Sequence, residues 1–144
     1  MADSRKENLV WKIRSYSRGG VTLRYGIYCL CELSEIQHTI FFFPGRGEYI
    51  EKYPELPLRL KLPNKTALVI MDHRGQGGSG GYPFHVNSYE DFCEDIKGLM
   101  DSFMKEEKSY SIIAYSMGGL IALYGIFKGY FHPTKLFLLS PFLG

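Results

Sequence analysis

This sequence predicts an α/β fold in which an N-terminal β-hairpin is followed by a mostly parallel sheet with helices on both faces. Three observations carry that expectation. Two alternating segments joined by Ser17-Arg18-Gly19-Gly20 open the chain, four short and almost continuous apolar runs follow, and stretches of helical character separate those runs.

The elements follow in order. Residues 9–16 alternate, with Leu9, Trp11 and Ile13 on one face and Lys12 and Arg14 on the other, as in a strand with one solvated side. Beyond the turn, Val21, Leu23, Tyr25, Ile27 and Cys29 alternate through residue 30, which completes an antiparallel hairpin. Thr39-Ile40-Phe41-Phe42-Phe43, Ala67-Leu68-Val69-Ile70-Met71, Ser111-Ile112-Ile113-Ala114 and Leu136-Phe137-Leu138-Leu139 read as strands covered on both faces. Residues 48–60 are interrupted by Pro54 and Pro57, so a short helix, a break and a further turn are expected there. Tyr89, Phe92, Cys93, Ile96, Leu99, Met100, Phe103 and Met104 recur at three- and four-residue spacing and predict a helix over 88–106, with Lys97 and Asp101 facing out. Asn87 or Ser88 can cap it, and Glu90 or Asp91 lies at the positive end of its dipole. Residues 117–128 are apolar nearly all round, which predicts a buried helix. The organisation expected is a polar tail over 1–8 and part of one domain over 9–144, without internal repeats.

Composition narrows the function classes. A chain of 144 residues, 45% hydrophobic and 22% charged with a net charge of +2, is that of a globular protein. No basic block stands out, so nucleic acid is not an expected partner. No run reaches the roughly 18 apolar residues that span a bilayer. The polar first eight residues have no signal-peptide core behind them. The three cysteines, Cys29, Cys31 and Cys93, lack metal-ligand spacing, and the first two share a strand face on which they are poorly placed to bridge. Buried, reduced thiols and a cytoplasmic location are therefore expected, with peripheral contact to a membrane left open. No metal-ligand pair, phosphate loop with Lys or dinucleotide-binding glycine motif is present, so neither metal nor cofactor is expected.

The chemistry is expected where strands end. In Ala114-Tyr115-Ser116-Met117-Gly118-Gly119 a buried strand runs into a helix through a Ser flanked by small residues. A tight strand-to-helix turn would lift the Ser116 hydroxyl above the sheet as a nucleophile and aim the Met117 N–H at a developing oxyanion. Ala114 and Gly118, two residues to either side, are expected to pack against each other. The other reading is a Ser that simply caps a buried helix. The second feature is Pro44-Gly45-Arg46-Gly47-Glu48, where Gly45 and Gly47 allow close backbone approach and the Arg46 N–H is the candidate second oxyanion donor; a plain strand-to-helix turn is the alternative. The third is Asp72-His73-Arg74-Gly75-Gln76-Gly77-Gly78-Ser79-Gly80-Gly81, in which Asp72 and Arg74 are expected to brace the loop rather than perform chemistry. His73 and His85 are expected near the active face but on the wrong loops for a general base, and His38 and His132 at the opposite end of the sheet.

Taken together, Pro44-Gly45-Arg46-Gly47-Glu48-Tyr49, Asp72-His73-Arg74-Gly75-Gln76-Gly77-Gly78-Ser79 and Tyr115-Ser116-Met117-Gly118-Gly119 resemble the lysophospholipase and monoacylglycerol lipase branch of the α/β-hydrolases, often classed with the serine aminopeptidase hydrolases. Leu138-Leu139-Ser140-Pro141-Phe142 resembles the strand leading into that family's lid. The resemblance implies hydrolysis of a single-acyl lipid ester through an acyl-enzyme on Ser116, with Arg46 and Met117 N–H groups as the oxyanion hole and no cofactor. Ala114 replaces the usual first Gly of the elbow, and Pro44 stands where relatives often have His.

Family members carry a lid and further strands beyond the sixth, and the triad acid and His on loops after those strands. This chain is accordingly expected to be the N-terminal part of such a domain, without triad acid or His, and close to inactive alone. A separately encoded C-terminal half is then a candidate partner. The alternatives are a non-catalytic remnant or binding module of the same fold, and a family member acting on other esters or on peptide N-termini.

Overall fold

The computed structural model describes residues 10–104 and 109–143. The polar tail over 1–8, Leu9 and the last two residues of the helix expected over 88–106 lie outside the described residues.

β1 (Lys12–Arg18) and β2 (Val21–Tyr28) form the antiparallel hairpin, and β2 pairs antiparallel with β4 (Thr66–Met71). From β4 onward the sheet is parallel: β3 (His38–Phe43) lies between β4 and β5 (Ser109–Tyr115), and β6 (Lys135–Leu139) borders β5. The spatial order is β1-β2-β4-β3-β5-β6. Residues 48–60 fold as a 3₁₀ turn at Ile50–Lys52 and a short helix α1 (Leu56–Leu60) with Pro57 in its first turn, where a missing N–H breaks no helical bond.

Alternation along each strand divides the core in two. Phe41, Phe43, Val69 and Met71 pack on Phe92, Ile96, Leu99 and Met100 of α2 (Tyr89–Phe103) and on Ile121 of α3 (Met117–Phe127). Phe42, Leu68 and Ile70 face the other way, onto Trp11, Ile50 and Tyr53. The Trp11 Nε1–H donates to the Tyr53 carbonyl at 2.7 Å, which ties the segment before β1 to the 3₁₀ turn. Ser88 caps α2, its Oγ accepting the Glu90 N–H at 3.0 Å.

Two strands depart from expectation for one reason, their place at a sheet edge. Trp11 is buried at 4% exposure, but Ile13 on the same expected face is 42% exposed. Tyr16, on the face that was expected to be solvated, and Arg18, expected in the turn, are the β1 residues that reach α2: Tyr16 lies against Gly98, and Arg18 bonds Asp95. At the opposite edge, Leu136 and Leu138 are half-buried while Phe137 and Leu139 are 52% and 50% exposed, so β6 is covered on one face rather than both. All three cysteines are free, and only Cys93 is buried; Cys29 and Cys31 are half-buried.

A fully buried carboxylate holds three elements together. Asp95 on α2 accepts from Arg18 Nε at 2.7 Å and from Arg74 Nε and Nη2, both at 2.9 Å. Both guanidiniums stay partly hydrated, at 29% and 18% side-chain exposure, so removing the carboxylate strands them less severely than in a dry core.

Three outcomes follow from this packing. Asp95→Ala is expected to lower unfolding free energy by about 3 kcal/mol, the lower end for breaking a buried pair, read from urea denaturation. Gly125→Ala, which in an exposed helix would stabilise by about 1 kcal/mol, should instead destabilise by about 1–3 kcal/mol, because the added Cβ would fall 2.2 Å from Phe131 Cε2 and Phe131 is fully buried. Burial pushes the Cys93 thiol up to about 12, so iodoacetamide at pH 8 should alkylate Cys29 and Cys31 and reach Cys93 only on unfolding, as peptide mass mapping would show.

Candidate active site

Phe43, Met71, Tyr115 and Leu139 end the four parallel strands on the same edge of the sheet, and the loops that follow them meet there. In open α/β sheets this carboxyl edge is where ligands bind.

Ser116 joins β5 directly to α3 with φ 53° and ψ −117°, a left-handed backbone that costs a non-glycine residue about 1–3 kcal/mol. Its neighbours hold it there. The Ser116 N–H donates to the Leu139 carbonyl at 3.0 Å, and the Ser116 carbonyl accepts from Gly119 N–H at 2.9 Å and Phe142 N–H at 3.1 Å. Ser116 occupies the N-cap position of α3, yet its side chain makes no capping bond, in contrast to Ser88 on α2. The capping alternative therefore fails, and the hydroxyl is left at the carboxyl edge. Met117 is the first residue of α3, so its N–H has no helical carbonyl to pair with.

The small residues around Ser116 answer to different neighbours than expected. A Cβ on Gly118 would lie 2.1 Å from the Phe43 oxygen and 2.7 Å from the Pro44 oxygen, so the end of β3, rather than Ala114, demands glycine there. Gly119 is set by Pro141, whose Cβ would be 2.9 Å away, and Ala114 is fully buried between Phe43 and Leu138 in the sheet register. The loop after β3 closes over the elbow: a Cβ on Gly45 would meet Tyr115 at 3.2 Å and Ser116 Cβ at 3.4 Å. Gly47 has φ +76°, and the exposed Arg46 between the two glycines lays its guanidinium over the Phe84 ring at 5.5 Å.

The loop after β4 carries the charges that hold these pieces. Asp72 is fully buried; Oδ1 accepts the Ile50 N–H at 2.9 Å, and Oδ2 accepts Gly78 N–H and Arg24 Nε, both at 2.8 Å. Arg24 continues to Glu51, so β2, the 3₁₀ turn and this loop share one ion network. Arg74 instead reaches across to Asp95 on α2. Gln76, 4% exposed, accepts the Gly47 N–H at 2.7 Å. Arg24 and Gln76 escaped the sequence reading: the first looks like a solvated strand residue, and nothing in a Gly-Gln-Gly string signals a partner in another loop.

None of the histidine rings bonds Ser116 among the described residues. His38 lies at the start of β3, with ring nitrogens 2.7 and 2.9 Å from the Ser109 and Ser111 hydroxyls, and burial lowers its pKa. His132 donates its backbone N–H to the Tyr110 hydroxyl, at that same end. His85 is exposed and bonds Asn87 at 3.1 Å. His73 is fully buried, its Nε2–H donating to the Pro44 carbonyl at 2.9 Å; burial pushes its pKa down and keeps it neutral. Among the described residues no group of His, Cys, Asp and Glu side chains is placed to hold a metal ion, and no helix is long and apolar enough to cross a membrane.

Known proteins resemble this chain in sequence and in fold. Lysophospholipase L2 of Escherichia coli K12 is 38% identical over 92 residues, which cover 58% of this chain and 26% of that protein. A probable lysophospholipase L2 of Haemophilus influenzae is 30% identical over 117 residues, covering 77% of this chain and 37% of that one. Among solved structures, a soluble variant of monoglyceride lipase from Saccharomyces cerevisiae superposes with a TM-score of 0.75 at 20% identity, covering 92% of this chain and 45% of that one. A lipase from Acinetobacter baumannii, described as putative in its structure report, superposes with a TM-score of 0.74 at 17% identity, over 96% and 44% of the two chains. This chain thus spans less than half the length of each of these four proteins. Residues 34–144 match the family model described as serine aminopeptidase, S33. The chain belongs to that family, and its sheet is that of an α/β-hydrolase.

Proposed function

We propose that this chain carries the nucleophile and oxyanion-binding part of a serine hydrolase that cleaves single-acyl lipid esters of the lysophospholipid or monoacylglycerol type. The observation that carries the reading is Ser116, held left-handed at the head of α3 with no capping bond and with Gly45 packed against it. A serine kept in a strained backbone geometry, rather than spent on capping, is one whose hydroxyl is wanted elsewhere.

In the proposed reaction the Ser116 Oγ attacks the ester carbonyl carbon as its proton passes to a base. The carbonyl oxygen becomes an oxyanion that accepts from the Arg46 and Met117 N–H groups. Collapse expels the alcohol, which takes up the proton and leaves an acyl-enzyme for water to hydrolyse. The base and its acid partner are proposed to come from sequence outside these 144 residues, since each described histidine is engaged elsewhere or lies at the far end of the sheet. Asp72 and Arg74 are proposed to act as braces, through the network to Arg24 and through Asp95 respectively. The lipid class rests on the sequence likeness to lysophospholipase L2 of Escherichia coli and the probable lysophospholipase L2 of Haemophilus influenzae.

The test is a fluorophosphonate probe applied to the protein expressed from its full reading frame, followed by assays with a lysophospholipid and a monoacylglycerol. Labelling should map to Ser116 and vanish in Ser116→Ala, with lipid hydrolysis falling on the order of 10⁶-fold. Unchanged hydrolysis in Ser116→Ala would overturn the assignment. Preferential cleavage of an aminoacyl amide would keep the nucleophile and overturn the lipid class.

A further inference from the structure

Arg46 sits between Gly45 and Gly47, residues whose backbone torsions are the least restricted of any type. A segment so flanked can turn a peptide plane over, and a turned plane presents a carbonyl oxygen where a donor is needed. A peptide plane is rigid and trans, so its C=O and N–H point in opposite directions and fixing one aims the other.

Three consecutive planes are locked here, each by one hydrogen bond. The Pro44 carbonyl accepts from His73 Nε2–H at 2.9 Å. The Gly45 carbonyl, in the same plane as the Arg46 N–H, accepts from Glu48 N–H at 3.2 Å. The Gly47 N–H donates to Gln76 Oε1 at 2.7 Å. Two of the three partners are side chains from the loop after β4, at 1% and 4% exposure.

Chemistry fixes which atom of each side chain faces the loop. A carbonyl only accepts, so Nε2 of His73 carries the hydrogen; an N–H only donates, so Gln76 presents its oxygen. The other ring nitrogen of His73, Nδ1, is buried and has no hydrogen-bond partner among the described residues, while Phe92 packs edge-on to the ring at 5.5 Å. A histidine so placed, with one nitrogen on a loop carbonyl and the other idle, serves to orient that loop.

We propose that His73 and Gln76 are positioning residues, a two-sided clamp that keeps the Arg46 N–H turned toward the carbonyl oxygen of a substrate on Ser116. The inference rests on the hydrolase reading for its purpose, but its geometry can be tested without it.

The experiment is NMR on the isotope-labelled protein expressed from its full reading frame, with Ser116 phosphonylation measured in parallel. In the unsubstituted chain, a coupling through the hydrogen bond should connect the Gly47 amide nitrogen with the Gln76 side-chain carbonyl carbon, and His73 should show the Nε2–H tautomer. Gln76→Leu should speed amide exchange at Gly47 about tenfold, the loss of one hydrogen bond, and change the dipolar couplings of Arg46. Phosphonylation of Ser116 should fall by on the order of 10²-fold, as for a lost oxyanion donor, while the protein still unfolds cooperatively in urea. Gln76→Glu, which still offers an oxygen, should restore both readouts to within about threefold. Absence of the Gly47–Gln76 coupling overturns the clamp whether or not any variant folds. So does a folded Gln76→Leu with parental exchange and parental phosphonylation. Changed exchange in Gln76→Leu with no phosphonylation of the parent supports the clamp and overturns the hydrolase reading.

Discussion

The end of β3 runs directly against the first turn of α3, and the candidate site is arranged around that contact. The Phe43 carbonyl oxygen lies where a Gly118 Cβ would be, leaving no room for a side chain. β3 cannot yield, because it is paired on both sides and its Phe41 and Phe43 are buried in the main core. α3 therefore has to start immediately after β5 and cross the end of β3 backbone to backbone. The left-handed torsions of Ser116 provide that abrupt start, and the bonds from Ser116 to Leu139 and Phe142 fix it. One steric constraint thus exposes the hydroxyl, leaves the Met117 N–H without a helical carbonyl to pair with and brings Gly45 onto Ser116.

Around this contact the protein uses buried charge where it might have used apolar packing. Asp72 and Asp95 are both fully buried, and each is reached by arginines from the hairpin and bonded to or within the loop after β4. Replacing buried ion pairs by apolar residues often costs nothing in stability, so strength alone is a poor account of them. Direction is a better one. A carboxylate that accepts from Arg24, Ile50 N–H and Gly78 N–H at once fixes three segments in angle as well as distance. Glycine-rich loops, which have little side-chain packing of their own, need that directional hold.

Much of the fold was legible in the sequence because it depends on local pattern. Alternation gave the hairpin, the apolar runs gave the parallel strands, and the spacing of Phe92, Ile96, Leu99 and Phe103 gave α2, with Ser88 its cap. Two of the misreadings fall at sheet edges. Ile13 and Phe137 are apolar and alternate properly, but what covers a strand face is set by elements distant in sequence. The same limit applies to the loops. Gln76 and Arg24 are polar residues in polar surroundings, and their value comes from partners 29 and 48 residues away.

By itself, then, the sequence determined the element order, the strand-to-helix turn at Ser116 and the glycine-rich character of the loops that meet it, since these follow from side-chain size, hydropathy period and backbone permissiveness. Only the tertiary structure decided why Gly118 must be glycine, which face of β1 meets α2, and that His73 and Gln76 grip the loop carrying Arg46. Those outcomes depend on close approach and on hydrogen-bond direction between distant segments, and neither leaves a periodic trace in the chain.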